Sequence, residues 1–358
     1  MSRAAGLRDA TWGRRVTYSR KVFVPLTNMC RDTCGYCTFV KHPSDPRAAL
    51  LTPEQVLHQA RKGERSGCKE LLFSLGEKPE RRYVEAREAL AAQGHSSITD
   101  YLAEMCALVL RETSLLPHVN AGTLSDAELE KLRPVSASMG MMLETVSRRL
   151  AREGGPHHAC PDKLPVQRLR TLQRAGERKV PFTTGLLIGI GETWEERLEA
   201  LEAIEAAHRR HGHIQEVIIQ NFQRKPGIAM EHHPEPTLSD MLRTIAAARL
   251  ILSPEISLQA PPNLSKRHVA YLGAGINDWG GISPVTIDFI NPQHDWPELR
   301  ALADSCDAAG FALEERLTVY PRYVAGDAPY LDPALRRRIA SMARQDGLAR
   351  HQALEGAA

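Results

Sequence analysis

Short apolar runs alternate with capped, amphipathic segments along most of the chain. Residues 21–26 read as a first strand running into a loop. Thr52, Pro53 and Gln55 form a capping box with proline at the first helical position, so a helix is expected there. A second strand is predicted over 69–75, a helix over about 97–113 and a third strand over 115–120. Ser125 and Glu128 give another capping box. A methionine-rich fourth strand is predicted over 137–143, then a helix near 164–176 and a fifth strand over 181–188. Thr193 and Glu196 cap a helix whose Trp194, Leu198, Leu201 and Ile204 recur at helical spacing, predicting one buried stripe. A strand over 216–220, a helix over 238–252, a strand over 256–259, a helix over 264–272 and a strand over 285–290 complete the series. This alternation implies parallel strands with helical crossovers. The expected fold class is α/β, a (β/α) TIM-type barrel, open or closed, with a C-terminal helical extension. Chemistry is then expected at the C-terminal ends of the strands. The expected division is an N-terminal extension over 1–15, the barrel over 16–325 and a helical tail over 326–358, frayed from 347 onward.

Composition narrows the function classes. An apolar fraction of 42% with 25% charge is that of a folded globule and excludes a mainly disordered chain. No apolar run approaches the roughly 18 residues of a membrane helix, and the first 15 residues hold no apolar signal core. A cytoplasmic protein without a membrane partner is therefore expected. Forty-six basic residues against 43 acidic ones, dispersed along the chain, leave no electrostatic footprint for nucleic acid.

The seven cysteines are an odd number, which argues against a disulfide framework. Cys30, Cys34 and Cys37 fall within eight residues, just after the first strand. Thiolates gathered so closely favour a soft metal, as zinc, copper(I) or an iron–sulfur cluster, the plain alternative being uncommitted thiols. Structural zinc would want a fourth ligand, from His42 or Cys68. A [4Fe–4S] cube usually takes four cysteines, so three leave one iron open to a ligand. Cys68, Cys106, Cys160 and Cys306 read as small packed hydrophobes. The pairs His157-His158 and His232-His233 read as solvated loop residues. His118, on the third strand, is the candidate for interior proton transfer.

C-x-x-x-C-x-x-C with an aromatic, Tyr36, before the third cysteine resembles the radical S-adenosylmethionine (SAM) superfamily. The resemblance implies that Cys30, Cys34 and Cys37 hold a [4Fe–4S] cluster whose open iron binds SAM. Reductive cleavage of SAM would give a 5′-deoxyadenosyl radical. Leu75-Gly76-Glu77 is similar to the family's Gly-Gly-Glu, with Leu75 replacing the first glycine, which puts Gly76 and Glu77 at the SAM amino group. A carboxylate facing an ammonium is a charge-assisted pair. Glu144 resembles the acid that accepts from the SAM ribose; its plainer alternative is a helix N-terminal acid. Residues 185–192 resemble the stretch that flanks adenine, placing Gly189 there.

The likeness runs beyond that core. Stretches 18–28, 71–79, 116–122, 213–222, 259–264 and 279–286, leading to Asp288, are similar to the CofG subunit family of deazaflavin (FO) synthases. That resemblance implies closure of a 4-hydroxybenzyl–ribitylaminouracil adduct to the deazaflavin FO, with release of ammonia. It implies as partners a CofH-type radical SAM protein that supplies the adduct and a low-potential electron donor. Gln220, Asn221, Gln259, Asn263, Asn277 and Asp288, at predicted strand ends or loops, are candidate contacts to a uracil edge and ribityl hydroxyls. Asn and Asp also favour turns in their own right. Three other readings stay open: a CofH-like or menaquinone-pathway radical enzyme, an iron–sulfur electron-transfer protein, and a zinc-stabilised binding module.

Overall fold

Among the described residues nine strands, all paired in parallel, form one sheet, and eight of them close a barrel. The computed structural model describes residues 1–324 and 329–350. The strands are β1 (Arg15–Pro25), β2 (Glu70–Ser74), β3 (Leu116–Asn120), β4 (Ser138–Gly140), β5 (Phe182–Ile188), β6 (Ile214–Asn221), β7 (Ser257–Gln259), β8 (Asp278–Ile282) and β9 (Ala312–Glu315). The barrel order runs β1 to β8 and closes because β1 pairs both β2 and β8.

The length of β1 explains the ninth strand. Thr17 is in register with Asp278 of β8 and with Glu314 of β9, so these two strands take opposite edges of β1. Residues 21–25 of β1 pair with β2 and residues 15–18 with β9. The two strands thus share β1 lengthwise, β9 extending the sheet below the barrel.

Side chains alternate across a strand, so every second residue faces the lumen. Lys21 and Phe23 of β1, Glu70, Leu72 and Ser74 of β2, His118 and Asn120 of β3, and Glu216, Ile218 and Gln220 of β6 all line one central cavity. The intervening residues, such as Val22, Val24, Leu71, Phe73, Val119, Val217 and Ile219, are buried in the apolar core under the helices. The barrel is thus apolar outside and polar inside.

Capping boxes at Thr52, Ser125 and Thr193 start the helices Pro53–Arg65, Asp126–Leu132 and Trp194–His211, as predicted. In the last of these Leu201 and Ile204 are buried, but Trp194 and Leu198 lie only half-buried at its start, where Arg243 covers the indole. The predicted helix over 264–272 is instead a turn at Pro262–Leu264 and a short helix at Ala270–Ala274. The fourth strand is shorter than expected and ends at Gly140.

The eighth strand is Asp278–Ile282, and 285–290, expected as a strand, is loop. The pair Gly280-Gly281 lies within this strand. A Cβ on Gly281 would fall 2.0 Å from Lys21 Cε, and one on Gly280 would fall 2.3 Å from Gln259 Nε2. These glycines make room for lumen side chains from neighbouring strands.

Residues 1–15 include a helix, Ser2–Trp12, whose buried Arg8 donates from Nη1 to Ile276 O at 2.6 Å. Near the other end, the helix Pro333–Met342 docks through Arg338, which donates to Leu110 O at 2.6 Å and to Thr113 O. The expected fraying from 347 does not hold for 347–350. Leu348 and Ala349 are buried, and Ala349 N–H donates to Glu315 O at 3.0 Å. Residues 351–358 of that expectation lie outside the described residues.

Candidate active site

Two adjoining cavities occupy the barrel. The upper one is ringed by the loops after β1 to β6; the lower one fills the lumen beneath it. Ser74, Asn120, Met141, Met142, Gln220 and Ile290 line both.

Cys30, Cys34 and Cys37 all face the upper cavity, on the loop that leaves β1. Cys30 Sγ accepts from the backbone N–H of Glu77 at 3.1 Å and of Asp32 at 3.4 Å, the kind of donor a thiolate needs. The loop is pinned to the turn after β2: Arg31 N–H donates to Glu77 O at 2.8 Å. Gly76 makes that approach possible, since a Cβ there would lie 1.9 Å from Met29 O. Lys225 ties the far side of the loop by donating to Tyr36 O at 3.2 Å and to Ile290 O at 3.0 Å.

Among the described residues, one group of His, Cys, Asp or Glu has its ligand atoms all within 4.8 Å of one another: Asp32, Glu77 and Asp162. The three cysteine sulfurs do not form such a group, whereas a single tetrahedral zinc draws sulfurs at about 2.3 Å from the ion to under about 4 Å of one another. A cube that gives each thiolate its own iron fits three spread thiolates facing one cavity. Cys68 precedes β2 at the opposite end of the barrel, and His42 Nδ1 is engaged with Ser44 Oγ at 2.8 Å. Neither belongs to a gathered group of three ligands among the described residues.

Glu77 is buried and lines the same cavity. Its Oε1 accepts from Thr123 N–H at 2.6 Å, and Arg168 Nη2 lies 3.7 Å from its Oε2. Burial raises its carboxyl to about 7; Arg168 opposes that shift and Asp162 adds to it. Such an acid ionises readily when a further cation arrives.

Glu144 is no helix N-terminal acid. It follows β4 in a left-handed conformation, φ 65°, which costs a non-glycine residue about 1–2 kcal/mol. Two backbone hydrogen bonds to β5 hold it there: Glu144 N–H to Gly185 O at 2.8 Å and Leu187 N–H to Glu144 O at 3.2 Å. Its carboxylate meets Lys163 Nζ at 2.5 Å, Tyr36 Oη at 2.5 Å and His157 Nε2 at 3.1 Å. Burial would raise this carboxyl, but Lys163 and Arg168, helped by His157, hold it well below the usual range.

Gly189 sits beyond β5 with φ 88°, and its N–H donates to Glu192 Oε1 at 2.7 Å. The β5 residue that lines the upper cavity is Leu187. Gln220 faces both cavities, while Asn221, 6% exposed with Oδ1 unpartnered, faces the upper one. Gln259 and Asp288 face the lower one. Asn263 Nδ2 is spent on Asp288 Oδ2 at 3.0 Å, and Asp288 Oδ1 accepts from the N–H groups of Ile290 and Asn291, so this pair shapes the loop after β8. Asn277 lies at the opposite end of the barrel and lines neither cavity. Its amide joins Arg249 at 2.6 Å, Leu258 N–H at 2.8 Å and Ser257 Oγ at 2.8 Å, an interior lock rather than a ligand contact.

His118 faces the lower cavity. Its Nδ1 pairs with Ser138 Oγ at 2.7 Å and Thr318 Oγ1 at 3.2 Å. Burial lowers it to about 4 despite Glu70 nearby, so it is a neutral imidazole.

Several site residues carried no spacing signal. Buried Asp162 and Arg168, with the partly exposed Lys163, form a charged group beside Glu77 and Glu144. His157, expected in solvent, is 2% exposed and also reaches Tyr36 Oη at 3.0 Å, whereas His158 is exposed. Cys160 is no isolated packing residue: its thiol donates to His158 O at 3.3 Å, and its proximity to Cys34 lowers the Cys34 thiol and raises its own.

Comparison with known proteins agrees with this geometry. The profile described as "Radical SAM superfamily" matches residues 24–204. The chain is 54% identical over 311 residues to 7,8-didemethyl-8-hydroxy-5-deazariboflavin synthase of Methanopyrus kandleri, covering 86% of this chain and 92% of that protein. It is 50% identical over 359 residues to FO synthase of Streptomyces coelicolor, covering 98% of this chain but 41% of that longer protein. In fold it resembles the FeFe-hydrogenase maturase HydG from Carboxydothermus hydrogenoformans, TM-score 0.70 at 17% identity over 94% of this chain and 79% of that one. Methylornithine synthase PylB follows at TM-score 0.65 and 17% identity, over 87% of each chain.

Proposed function

The chain belongs to the radical SAM superfamily and, within it, to the family of FO synthases, and from that premise we propose that it is a CofG-type, ammonia-releasing lyase. Its substrate in this reading is 5-amino-5-(4-hydroxybenzyl)-6-(D-ribitylimino)-5,6-dihydrouracil, and its product is 7,8-didemethyl-8-hydroxy-5-deazariboflavin. The observation that carries the reading is the pair of adjoining cavities, one lined by the three cysteines with Glu77 and Glu144, the other a polar lumen.

Cys30, Cys34 and Cys37 would hold the [4Fe–4S] cluster, which with SAM supplies a 5′-deoxyadenosyl radical able to remove a hydrogen atom from the substrate. Glu77 would face the SAM ammonium, whose charge would favour the ionised form of an acid otherwise raised by burial. Arg168 and Lys163 line the same cavity and offer the cations that the SAM carboxylate needs. Glu144, fixed by Lys163, His157 and Tyr36, accepts from the ribose hydroxyls. Leu187 and Phe222 give the adenine an apolar wall. Gln220, shared by both cavities, and Asn221 with its free Oδ1 lie where a uracil edge can reach them. His118, neutral and held by Ser138, is placed to accept a proton within the lumen.

The chain matches nearly all of one relative and about two fifths of another, so the longer protein contains more than this module. A CofH-type radical SAM protein supplies the adduct in this reading, and a low-potential donor reduces the cluster. One paired assay tests it. Reconstituted protein with SAM and a strong reductant should convert the preformed adduct to a fluorescent deazaflavin, with ammonia and 5′-deoxyadenosine. It should leave tyrosine and the ribityl uracil, offered separately, unchanged. Adduct formation from the free components would make the chain CofH-like, and no substrate-dependent SAM cleavage in either mixture would leave an electron carrier.

A further inference from the structure

Lys21 and Glu70 face each other in register across β1 and β2, with Nζ 2.8 Å from Oε1, and both line the lower cavity. The pair is buried, yet ionic. Burial would raise the Glu70 carboxyl, but Lys21, aided by His118 and Arg316, holds it down at about 2. Glu70 Oε2 also accepts from Ser19 Oγ at 2.5 Å. An ammonium carries three donors, and Glu70 is the anion that the structure pairs with Lys21. Its other donors remain for whatever fills the lumen.

The neighbouring strand β8 makes room for Lys21. Gly281 leaves the space that the Lys21 side chain occupies, since a Cβ there would fall 2.0 Å from Cε. Gln259, 4% exposed, spends its Nε2 on Trp279 O at 3.3 Å and keeps Oε1 without a partner. The lower chamber thus offers a cationic donor, an anion and a free amide oxygen around one space. Burying such groups without hydrogen bonds is costly. A flat aromatic ring would leave most of them unmatched. A chain of hydroxyls, each of which both donates and accepts, matches all three.

We propose that this chamber seats the polyhydroxylated chain of the substrate, with Lys21 and Glu70 as the residues that select for it. The inference rests on the deazaflavin reading above. It orients the substrate: the ribityl chain points down, away from the cysteines, and the ring system lies at the level of Asn120 and Gln220, which face both cavities.

The test is a binding comparison on the reconstituted full chain with SAM. The probes are the FO deazaflavin and its counterpart carrying N-methyl in place of the ribityl chain, both followed by their own fluorescence. Charge-assisted hydrogen bonds of the usual strength predict that the methyl compound binds about 10–100-fold more weakly. Lys21→Met should bring the two affinities to within about threefold of each other, by the same reckoning. Its unchanged affinity for the methyl compound shows that the barrel is intact. Should Lys21→Met not fold, the double variant Lys21→Met with Glu70→Gln carries the same comparison, because it removes the cation without leaving the Glu70 charge buried and unpaired. Equal binding of the two probes to the unaltered protein overturns the proposal and leaves the deazaflavin reading standing. Discrimination that survives in the variants overturns it too, placing the hydroxyl contacts elsewhere. Binding of neither probe overturns both readings together.

Discussion

Tyr36 donates a hydrogen bond from Oη to Glu144 Oε2 at 2.5 Å, joining the residue between the second and third loop cysteines to the carboxylate that follows β4. The aromatic position of the cysteine motif therefore acts on the cofactor cavity through its hydroxyl. Tyr36→Phe keeps the ring and removes one of three donors to Glu144. Lys163 and His157 remain, so SAM affinity should fall only about 3–10-fold, against about 10–100-fold for Glu144→Gln. In the double variant the Tyr36 effect should vanish, because its partner charge is gone. Equilibrium dialysis with labelled SAM reads all three; a full Tyr36 effect in the double variant would mean that the two residues act separately.

Glu77→Gln keeps the shape of the side chain and removes its charge. Thr123 still holds the amide oxygen, so the cluster loop should stay in place. SAM should bind about 10–100-fold more weakly, with iron and sulfide content unchanged. Unaltered SAM affinity would remove Glu77 from the cofactor site.

The cluster should need three cysteines and no fourth. Cys34→Ala should abolish the broad brown absorbance and the roughly four irons per chain expected of a [4Fe–4S] site. Cys160, buried beside this loop and acting on the Cys34 thiol, is the obvious rival ligand. Cys160→Ser should nonetheless retain the iron and sulfide. Loss of iron in that variant, or one zinc without sulfide in protein purified free of oxygen, would refute the three-cysteine site.

What the sequence reveals, and what it hides, follows from how local each signal is. Capping boxes are written within four residues, and the helices at Pro53, Asp126 and Trp194 begin where those residues stand. The cysteine triplet is equally local. By contrast, β8 hides behind Gly280-Gly281, because the reason for those glycines is Lys21 and Gln259 on other strands. Arg168 looks like the polar face of an ordinary helix, and it is buried only because Met142, Asp162 and Glu77 surround it. His157 sits in a loop that reads as solvated, and Glu144 and Tyr36 bury it from 13 and 121 residues away. One usable signal was present: Glu70, Leu72, Ser74 and Glu216, Ile218, Gln220 alternate with fully apolar neighbours, marking a polar lumen.

Buried histidines set the acid limit of the fold. His213, at the start of β6, is fully buried, 5.7 Å from the His211 ring and 6.5 Å from the Phe182 ring. Burial, with the nearby His211 and His208, lowers it from 6.5 to about 3. The sign follows directly. Below pH 6.5 the unfolded chain binds a proton at this residue and the folded chain does not, so acid favours unfolding. The loss begins as pH falls through 6.5 and continues to about 3, at about 1.4 kcal/mol per pH unit. His118, lowered to about 4, adds a second contribution over a narrower window. His213→Leu removes the first contribution from both states. Between pH 7.5 and 5.0 the unaltered protein should therefore lose about 2 kcal/mol more stability than His213→Leu, a difference set by the 1.5 units between 6.5 and 5.0. Urea unfolding of the two proteins in the same cluster state measures it, and parallel pH dependences would show that His213 titrates normally in the folded chain.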